Sequence, residues 1–366
     1  MKPITILICS VLLIISSCNP NINRSIREID VIEHPVSEDL SKLIQSYEVL
    51  LLDKNPDAYI SNPGRTIYTD SLILIKNESN QSIVIFNNTG EYLSTISKRG
   101  RGPKEYLYIS DFTYDPIHKI ITIYDSEKAK FFNLEGKFIS ETKLGFRPSK
   151  ATNIGSGCTL IEKVMPSGDS ISDFYLRLFD KEFNTISARL PIRPLSGPGF
   201  GTEGQTYRTS INGDHAYFFS YFGDTIYHIN NKHIKPAYVL NYHSNIITVT
   251  DGTVNYNVDP ITSLRYLSYF EIGEINLLYY SMDHNPYCFV FNSSDNTTKL
   301  FKSTFKISDT FKESGNIMID AIHLDNFIEK NDPNKTKCKN LELLNKALEE
   351  QTEGFQCIVR LKLTNL

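Results

Sequence analysis

Hydrophobic residues occur along this chain in short bursts that polar and turn-forming residues separate. Four such bursts span residues 109–114, 119–124, 129–132 and 138–144, and Asp, Pro, Ser or Gly flanks each of them. The bursts are rich in Ile, Tyr, Phe and Thr, the residue types that favour strands. The pattern predicts four consecutive short strands in this stretch, and similar bursts elsewhere predict an all-β chain.

The sequence contains an internal repeat. Residues 86–94 (FNNTGEYLS) align without gaps with residues 132–140 (FNLEGKFIS), and residues 179–187 (FDKEFNTIS) form a looser third copy. Fainter copies begin at residues 229 and 291. In the first two copies a strand ends on Phe-Asn, and Gly90 or Gly136 then provides the positive φ of a tight turn into the next strand. Each copy therefore predicts a β-hairpin.

Repeats of about 40 to 50 residues with several strands in each unit are typical of propeller blades. Five copies and the unassigned chain ends predict a six-bladed β-propeller with four-stranded antiparallel blades. We expect residues 47–52 to pair with a late strand at 353–363, because strands from the two chain ends commonly close a propeller. One short C-terminal helix is predicted over residues 339–351, where Leu341, Leu344 and Leu348 share a helical face.

The N-terminus has the pattern of an export signal. Residues 1–18 (MKPITILICSVLLIISSC) contain one Lys, an apolar run over residues 4–15 and two serines before Cys18. The run is shorter than the roughly 20 residues of a membrane-spanning helix. Its end resembles the bacterial lipobox, whose cysteine is lipidated; an ordinary cleaved signal with an incidental Cys18 is the alternative. We expect a lipoprotein signal peptide at 1–17, a flexible tether at 18–30 and the propeller at 31–366.

The charge and the composition of the chain limit the classes of partner that it can bind. Lys and Arg number 38 against 42 Asp and Glu, and the net charge of −4 lacks the positive field that nucleic-acid binding needs. We therefore expect no nucleic-acid partner. Lipid at Cys18 would make the membrane a partner of the chain. We expect a lipid-anchored protein of the bacterial cell envelope, at the outer membrane. Surface-exported lipoproteins of some gut bacteria resemble each other in an acidic cluster after the cysteine, and since none follows Cys18, we expect this chain to face the periplasm.

Four cysteines remain outside the signal and the lipidation site. Cys158 and Cys288 lie in apolar bursts and are typical of buried free thiols. Cys338 and Cys357 flank the predicted helix and could form a disulfide. No close pair of cysteines indicates a zinc or redox centre.

The repeat, the lipobox and residues 100–106 (GRGPKEY) together resemble the six-bladed β-propeller lipoproteins of Bacteroidetes, relatives of TolB-like and NHL-like propellers. In that family a Gly-x-Gly-Pro-x-Glu-[Tyr or Phe] stretch follows the first hairpin, as it does here. The resemblance runs from about residue 30 to the end, and it implies a fold without a particular activity. The C-terminus departs from the family pattern, with Gly-Phe-Gln at 354–356 where an Asn-Pro is common.

Signals for catalysis are weak. Residues 199–204 match GxGxxG, but prolines precede them and a strand-like run follows, which favours a loop over a dinucleotide site. The carboxylates Asp111, Asp115, Asp214 and Asp283 are too scattered to assign, and the histidines, among them His215, His228 and His233, are expected at exposed strand or turn positions. We expect no catalytic residue, no metal and no cofactor.

The basic segment 98–106 (KRGRGPKEY) is the one candidate site. A link from the outer strand of one blade to the inner strand of the next crosses a face near the channel, where loops carry function. Arg99, Arg101, Lys104, Glu105 and Tyr106 are the candidate binding residues, for a protein or a glycan at a propeller face. A plain connection between blades is the alternative interpretation of the segment. For the whole chain, a binding or scaffold role stands beside an exported lactonase- or lyase-like enzyme with a metal in its channel.

Overall fold

Twenty-seven strands and two α-helices make up the described part of the chain in a computed structural model. The structure describes residues 26–31, 38–155, 157–163, 174–191, 204–208, 215–220, 224–241, 248–250, 253–255, 265–272, 274–282, 285–302, 311–312, 316–349 and 356–364. The elements are β1 (Arg27–Asp30), β2 (Ile44–Leu51), β3 (Pro63–Tyr68), β4 (Leu72–Asn77), β5 (Ser82–Asn87), β6 (Tyr92–Ile96), β7 (Asp111–Asp115), β8 (Ile120–Asp125), β9 (Lys128–Phe132), β10 (Phe138–Lys143), β11 (Pro148–Ile154), β12 (Cys158–Lys163), β13 (Phe174–Phe179), β14 (Thr185–Pro191), β15 (Gly204–Arg208), β16 (His215–Ser220), β17 (Thr225–Asn230), β18 (Ile234–Asn241), β19 (Thr248–Thr250), β20 (Thr253–Asn255), β21 (Arg265–Ile272), β22 (Ile275–Met282), β23 (Asn285–Asn292), β24 (Thr298–Lys302), β25 (Phe311–Lys312), β26 (Asn316–Asp320), α1 (Ala321–Asn331), α2 (Leu341–Glu349) and β27 (Gln356–Leu363).

Consecutive strands form antiparallel sheets. Five sheets have four strands: sheet 1 (β3 to β6), sheet 2 (β7 to β10), sheet 3 (β11 to β14), sheet 5 (β21 to β24) and sheet 6 (β25, β26, β27 and β2). Sheet 4 has five strands, because β1 joins β15 to β18 by pairing in parallel with β18. Strands β19 and β20 form a separate hairpin. The strands of sheet 2 lie within two residues of the four predicted bursts, which confirms that prediction.

Apolar clusters join the sheets in a cycle. Each cluster lies between two sheets that follow each other, and the last returns to sheet 1, so the sheets form a β-propeller. The clusters lie between sheets 1 and 2 (Ile67, Phe112), 2 and 3 (Tyr124, Phe179), 3 and 4 (Leu160, Phe218), 4 and 5 (Phe219, Phe289), 5 and 6 (Val290, Val359), and 6 and 1 (Ile358, Phe86).

The predicted uniform set of six four-stranded blades is wrong, since the structure has five four-stranded blades and one sheet of five strands. The fifth strand of sheet 4 is β1, a short segment that was predicted to belong to the tether. Ile29 and Val31 are buried in the cluster between sheets 4 and 5, so residues 27–30 are a strand and not a flexible tether. Cys18 and the signal peptide lie outside the described residues.

The repeat positions share one turn chemistry. After the third strand of sheet 1, Asn87 Oδ1 accepts the N–H groups two and four residues later, at 3.0 and 2.9 Å. Asp180 Oδ1 does the same in sheet 3, at 3.0 and 2.7 Å. Gly90 has φ +88°, Gly136 has +73°, and Phe183 takes +64° at the same place in the third copy. The hairpin predictions are confirmed, and the Asx side chain fixes the turn even where glycine is absent.

Strands from the two chain ends complete sheet 6, as predicted. Strand β2 is the outer neighbour of β27, with Val49 opposite Val359 and Leu51 opposite Cys357. The free edge of β2 is partly occupied, because the side-chain amide of Asn340 accepts from Val49 N–H at 2.9 Å and donates to Val49 O at 2.7 Å. Such cover removes part of an otherwise exposed strand edge.

Two helices lie between β26 and β27, where the sequence predicts one. Helix α2 falls within the predicted range, and Leu344 and Ala347 pack in the cluster between sheets 5 and 6. Leu341, predicted to share the buried face, is 46% exposed. Helix α1 was not predicted; it buries Leu324 and Phe327 in the same cluster. Neither described helix is long and apolar enough to cross a membrane.

Cys338 and Cys357 do not form the considered disulfide in the structure. Cys338 forms a backbone β-bridge with Tyr47, and Cys357 lies opposite Leu51 in the sheet. Tyr47 and Leu51 are four positions apart along β2, a distance of about 13 Å. Disulfide geometry needs Cα atoms within about 7 Å.

Removing β27 should abolish the fold, because β2 and β26 both pair with it. A chain that lacks residues 356–366 is expected to lose its cooperative thermal transition, measured by circular dichroism. A chain that lacks only residues 365–366 keeps β27 and should melt like the intact protein. An unchanged midpoint after the longer deletion would show that closure lies elsewhere.

Gly90 should tolerate a side chain less well than Gly145, although both have positive φ. A Cβ at Gly90 would overlap the backbone oxygen of Leu51, whereas a Cβ at Gly145 meets nothing within 4 Å. Gly145→Ala should therefore lower the free energy of unfolding by about 1 kcal/mol, the cost of the left-handed backbone. Gly90→Ala should cost clearly more in the same denaturant titration; equal costs would contradict the close approach.

Candidate functional site

The basic loop, residues 98–106, connects the last strand of sheet 1 to the first strand of sheet 2. Tyr106 fixes it from within: this side chain is fully buried, and its ring meets Phe132 edge to face with centroids 6.1 Å apart. The Lys98 N–H donates to its hydroxyl at 3.2 Å, and the hydroxyl lies 2.8 Å from the backbone oxygen of Gln81, to which it donates. Burial raises the Tyr106 pKa to about 12, so the hydroxyl stays protonated at neutral pH.

Glu105 shapes the turn of the loop. Its carboxylate accepts the Gly102 N–H at 2.7 Å. A Cβ on Gly100 would overlap the same carboxylate, and one on Gly102 would lie 3.0 Å from it. Glycine at position 100 is therefore needed for this position of the Glu105 carboxylate, whereas a side chain at position 102 would displace the carboxylate only slightly. Backbone bonds between Gly100 and Tyr106 (2.9 Å) and between Tyr106 and Lys98 (3.0 Å) close the loop at its base.

The residues that follow the loop are fixed by side chains from sheets 1 and 2. Asp125 accepts the N–H groups of Leu107 at 3.1 Å and Tyr108 at 3.4 Å. Gln81 Oε1 accepts the Ile109 N–H at 2.9 Å. Leu107 and Tyr108 remain 51% and 50% exposed, although Lys76 Nζ lies 5.2 Å from the centre of the Tyr108 ring.

The cations of the loop are exposed. Within the described part of the chain, no hydrogen bond or ion pair engages the side chains of Arg99, Arg101 or Lys104. Exposed Lys98 adds a fourth positive charge, and Glu105 supplies the one carboxylate of the loop. The arrangement is a hydrogen-bonded backbone that carries exposed cations, which suits recognition of an anionic group.

The five predicted residues therefore divide into two groups. Arg99, Arg101 and Lys104 lie together at the surface, as expected of binding residues. Tyr106 is buried, so its predicted place on the binding surface is wrong, and half-buried Glu105 is engaged within the loop. Leu107 and Tyr108 were missed, although they directly follow the segment. Nothing in the sequence pointed to Asp125, which meets the loop only through the pairing of β7 with β8.

Carboxylates considered for channel chemistry have other partners. Asp111 accepts from Arg65 and from the Ala151 N–H, and so links the first strands of sheets 1, 2 and 3. Asp115 pairs with His118 at 2.7 Å. Asp214, Asp283 and most of the GxGxxG segment lie outside the described residues. In the described ranges no group of three or more His, Cys, Asp or Glu side chains could hold a metal ion.

Two histidines expected at exposed positions are instead partly buried where sheets 4 and 5 meet. His215 Nε2 lies 3.1 Å from Glu271 Oε2, and the rings of His215 and His228 are 5.2 Å apart. His233 follows the prediction better, since it lies in the turn after β17; partial burial, followed by Lys235 and Lys232, lowers its pKa. The cluster of His215, His228 and Glu271 could not be predicted from the sequence, because its three residues come from three strands of two sheets.

Similar solved structures support the fold. An exported protein of Bacteroides fragilis is 19% identical, with a TM-score of 0.67, and the match covers 92% of this chain and 100% of that one. BamB from Moraxella catarrhalis is 10% identical over 76% of this chain and 96% of its own, with a TM-score of 0.39. Regucalcin, a calcium-binding protein from Agrobacterium tumefaciens, is 8% identical over 93% and 97%, with a TM-score of 0.39. The first supports the fold alone, and the other two carry no inference.

Curated proteins give no match to this chain. One family model does match, over residues 26–352, and it is described as a domain of unknown function, DUF4934. The matched range begins one residue before β1 and extends beyond α2, so it contains all the described elements except β27. Because the match spans well over half of the sequence, this chain belongs to the DUF4934 family.

Proposed function

We propose that this protein is a lipid-anchored binding protein of the bacterial cell envelope, whose propeller presents the basic loop to an anionic partner. The observation that carries the binding role is the loop itself: buried Tyr106 fixes its backbone, while three exposed cations have no partner within the described residues. Charged contacts of this kind contribute about 1.5 to 3 kcal/mol each when they are well placed.

The chain's envelope location rests on its first residues. The apolar run and the Ile-Ser-Ser-Cys sequence that ends at Cys18 are typical of export followed by lipidation. The structurally similar protein of Bacteroides fragilis is described as exported, which agrees with this location. We place the protein at the outer membrane, facing the periplasm, because no acidic cluster follows Cys18.

The propeller is proposed to have six blades, with sheet 4 as a blade that β1 extends. Support comes from the cycle of apolar clusters, in which sheet 4 packs against sheet 3 through Phe218 and against sheet 5 through Phe219. A blade extended at its outer edge leaves both of these packing surfaces intact, since β1 adds next to β18.

Cys18→Ala should release the protein from membranes, because the variant cannot receive the lipid. The measurement is fractionation of cells that produce either form, with immunoblots of the membrane and soluble fractions. A Cys9→Ala variant changes a cysteine within the signal and should still sediment with membranes. If the Cys18 variant sediments like the intact protein, lipid anchoring at this residue is wrong.

Replacing Arg99 and Arg101 together by Ala should remove partner binding and leave the fold intact. Exposed positions of this kind rarely change the free energy of unfolding by more than about 0.5 kcal/mol. The matched control is Lys232→Ala with Lys235→Ala, which removes two exposed charges from sheet 4. Pull-down from native membranes should retain the partner with the control pair alone; retention with both pairs would place the binding site on another face.

A further inference from the structure

We propose that the partner of the basic loop is an acidic segment of another protein, and not the headgroup layer of the membrane that holds the lipid. The proposal rests on the lipid-anchored binding role argued above and identifies the partner of that same site.

The surface around the loop is mixed in character. Next to Arg99, Arg101 and Lys104, the side chains of Leu107 and Tyr108 are about half exposed. Headgroup phosphates would neutralise the cations and leave Leu107 in a polar layer. A peptide that carries both carboxylates and apolar side chains covers both parts of this surface. Arg and Tyr are also enriched where proteins contact each other.

The loop is ready to bind without rearrangement. Within the loop, Tyr106 donates to the backbone oxygen of Gln81 at 2.8 Å. Asp125 and the Gln81 side chain hold the three residues directly after it, at 2.9 to 3.4 Å. Binding then adds no cost for ordering the loop backbone, and rigid presentation favours a specific segment over a diffuse charged surface.

The basic loop and the first described strand, β1, pack into clusters on opposite sides of the ring of sheets. Tyr106 and Ile109 belong to the cluster between sheets 1 and 2. Ile29 and Val31, at the start of the described chain, belong to the cluster between sheets 4 and 5. These two clusters are separated by three steps of the cycle in either direction. The first described strand therefore starts across the molecule from the basic loop.

The chain between Cys18 and β1 is too short to span the width of the propeller. Nine peptide steps connect Cys18 to Arg27 and reach about 30 Å when fully extended. A domain of about 340 residues is roughly 50 Å across, from the usual scaling of the radius of gyration. A lipid at Cys18 would thus hold the edge of sheets 4 and 5 near the bilayer, across the ring from the cluster that contains Tyr106 and Ile109.

The first test measures how close the loop comes to the bilayer. The full lipidated chain is reconstituted in phosphatidylcholine vesicles with and without phosphatidylglycerol, and flotation verifies that it is anchored. A fluorophore is placed at Glu28→Cys on β1 or at Lys104→Cys in the loop, and doxyl-labelled lipid is the quencher. Quenching should be several-fold stronger at position 28 in both lipid mixtures. Equal quenching at position 104 would overturn the proposal, whereas failure to float would count against lipid anchoring instead.

The second test measures what the loop binds, by fluorescence polarisation of labelled peptides on the same full chain. One 12-residue peptide alternates pairs of glutamate with single leucines, and the other has serine in place of leucine. The leucine peptide should bind at least tenfold more tightly. Arg99→Ala with Arg101→Ala should weaken it at least tenfold, as should Leu107→Ser, while Lys232→Ala with Lys235→Ala should change it less than twofold.

Each remaining outcome of the second test overturns the proposal. Equal binding of the serine peptide would exclude the apolar contact at Leu107. No binding of either peptide, or Arg-dependent binding of phosphatidylglycerol vesicles in its place, would exclude an acidic protein segment as the partner. Thermal midpoints of all variants, measured in parallel, verify that the substitutions act on binding and not on folding.

Discussion

The pairing of β2 with β27 is the contact on which the rest of the structure depends. It brings residues about 310 positions apart into one sheet, with Val49 opposite Val359. That sheet packs on both of its faces: Val49 and Val359 enter the cluster shared with sheet 5, and Ile358 enters the cluster shared with sheet 1. In a closed ring every sheet is packed on both faces. Losing this pairing would therefore expose two apolar faces at once.

The basic loop depends on this frame at a distance. Its buried Tyr106 lies in the cluster between sheets 1 and 2 and donates to Gln81 of sheet 1, while Asp125 of sheet 2 holds the residues that directly follow the loop. The loop backbone is therefore as fixed as the packing of the two sheets, while the cations that extend from it stay exposed. This division of roles explains why a short segment contains both a buried aromatic residue and several exposed charges.

Local chemistry determined how much could be predicted from the sequence. The hairpins after residues 86, 132 and 179 were predictable because an Asx side chain and a positive-φ residue fix each turn within a few positions. Strand β1 was not, since Arg-Glu-Ile-Asp gains its structure from the cluster between sheets 4 and 5, about 200 residues away. The exposure of Arg99 and Arg101 was predictable from the local sequence. The burial of Tyr106 against Phe132 was not, because it depends on a neighbouring sheet.

Native-state hydrogen exchange of the β2 and β27 amides tests whether the pairing of these two strands holds the ring closed. Val49 N–H donates to Asn340 on the free edge, so the informative amides are those that face β27: Leu52, which donates to Gln356 O at 3.0 Å, and Leu50, which lies opposite Ile358. If the ring is held closed by this pairing, these amides should exchange only through global unfolding, with the same free energy and the same denaturant dependence as the core amides of sheet 2. If Leu50 and Leu52 exchange through a local opening while sheets 1 to 5 stay protected, β2 is a dispensable edge strand and its pairing with β27 does not close the ring.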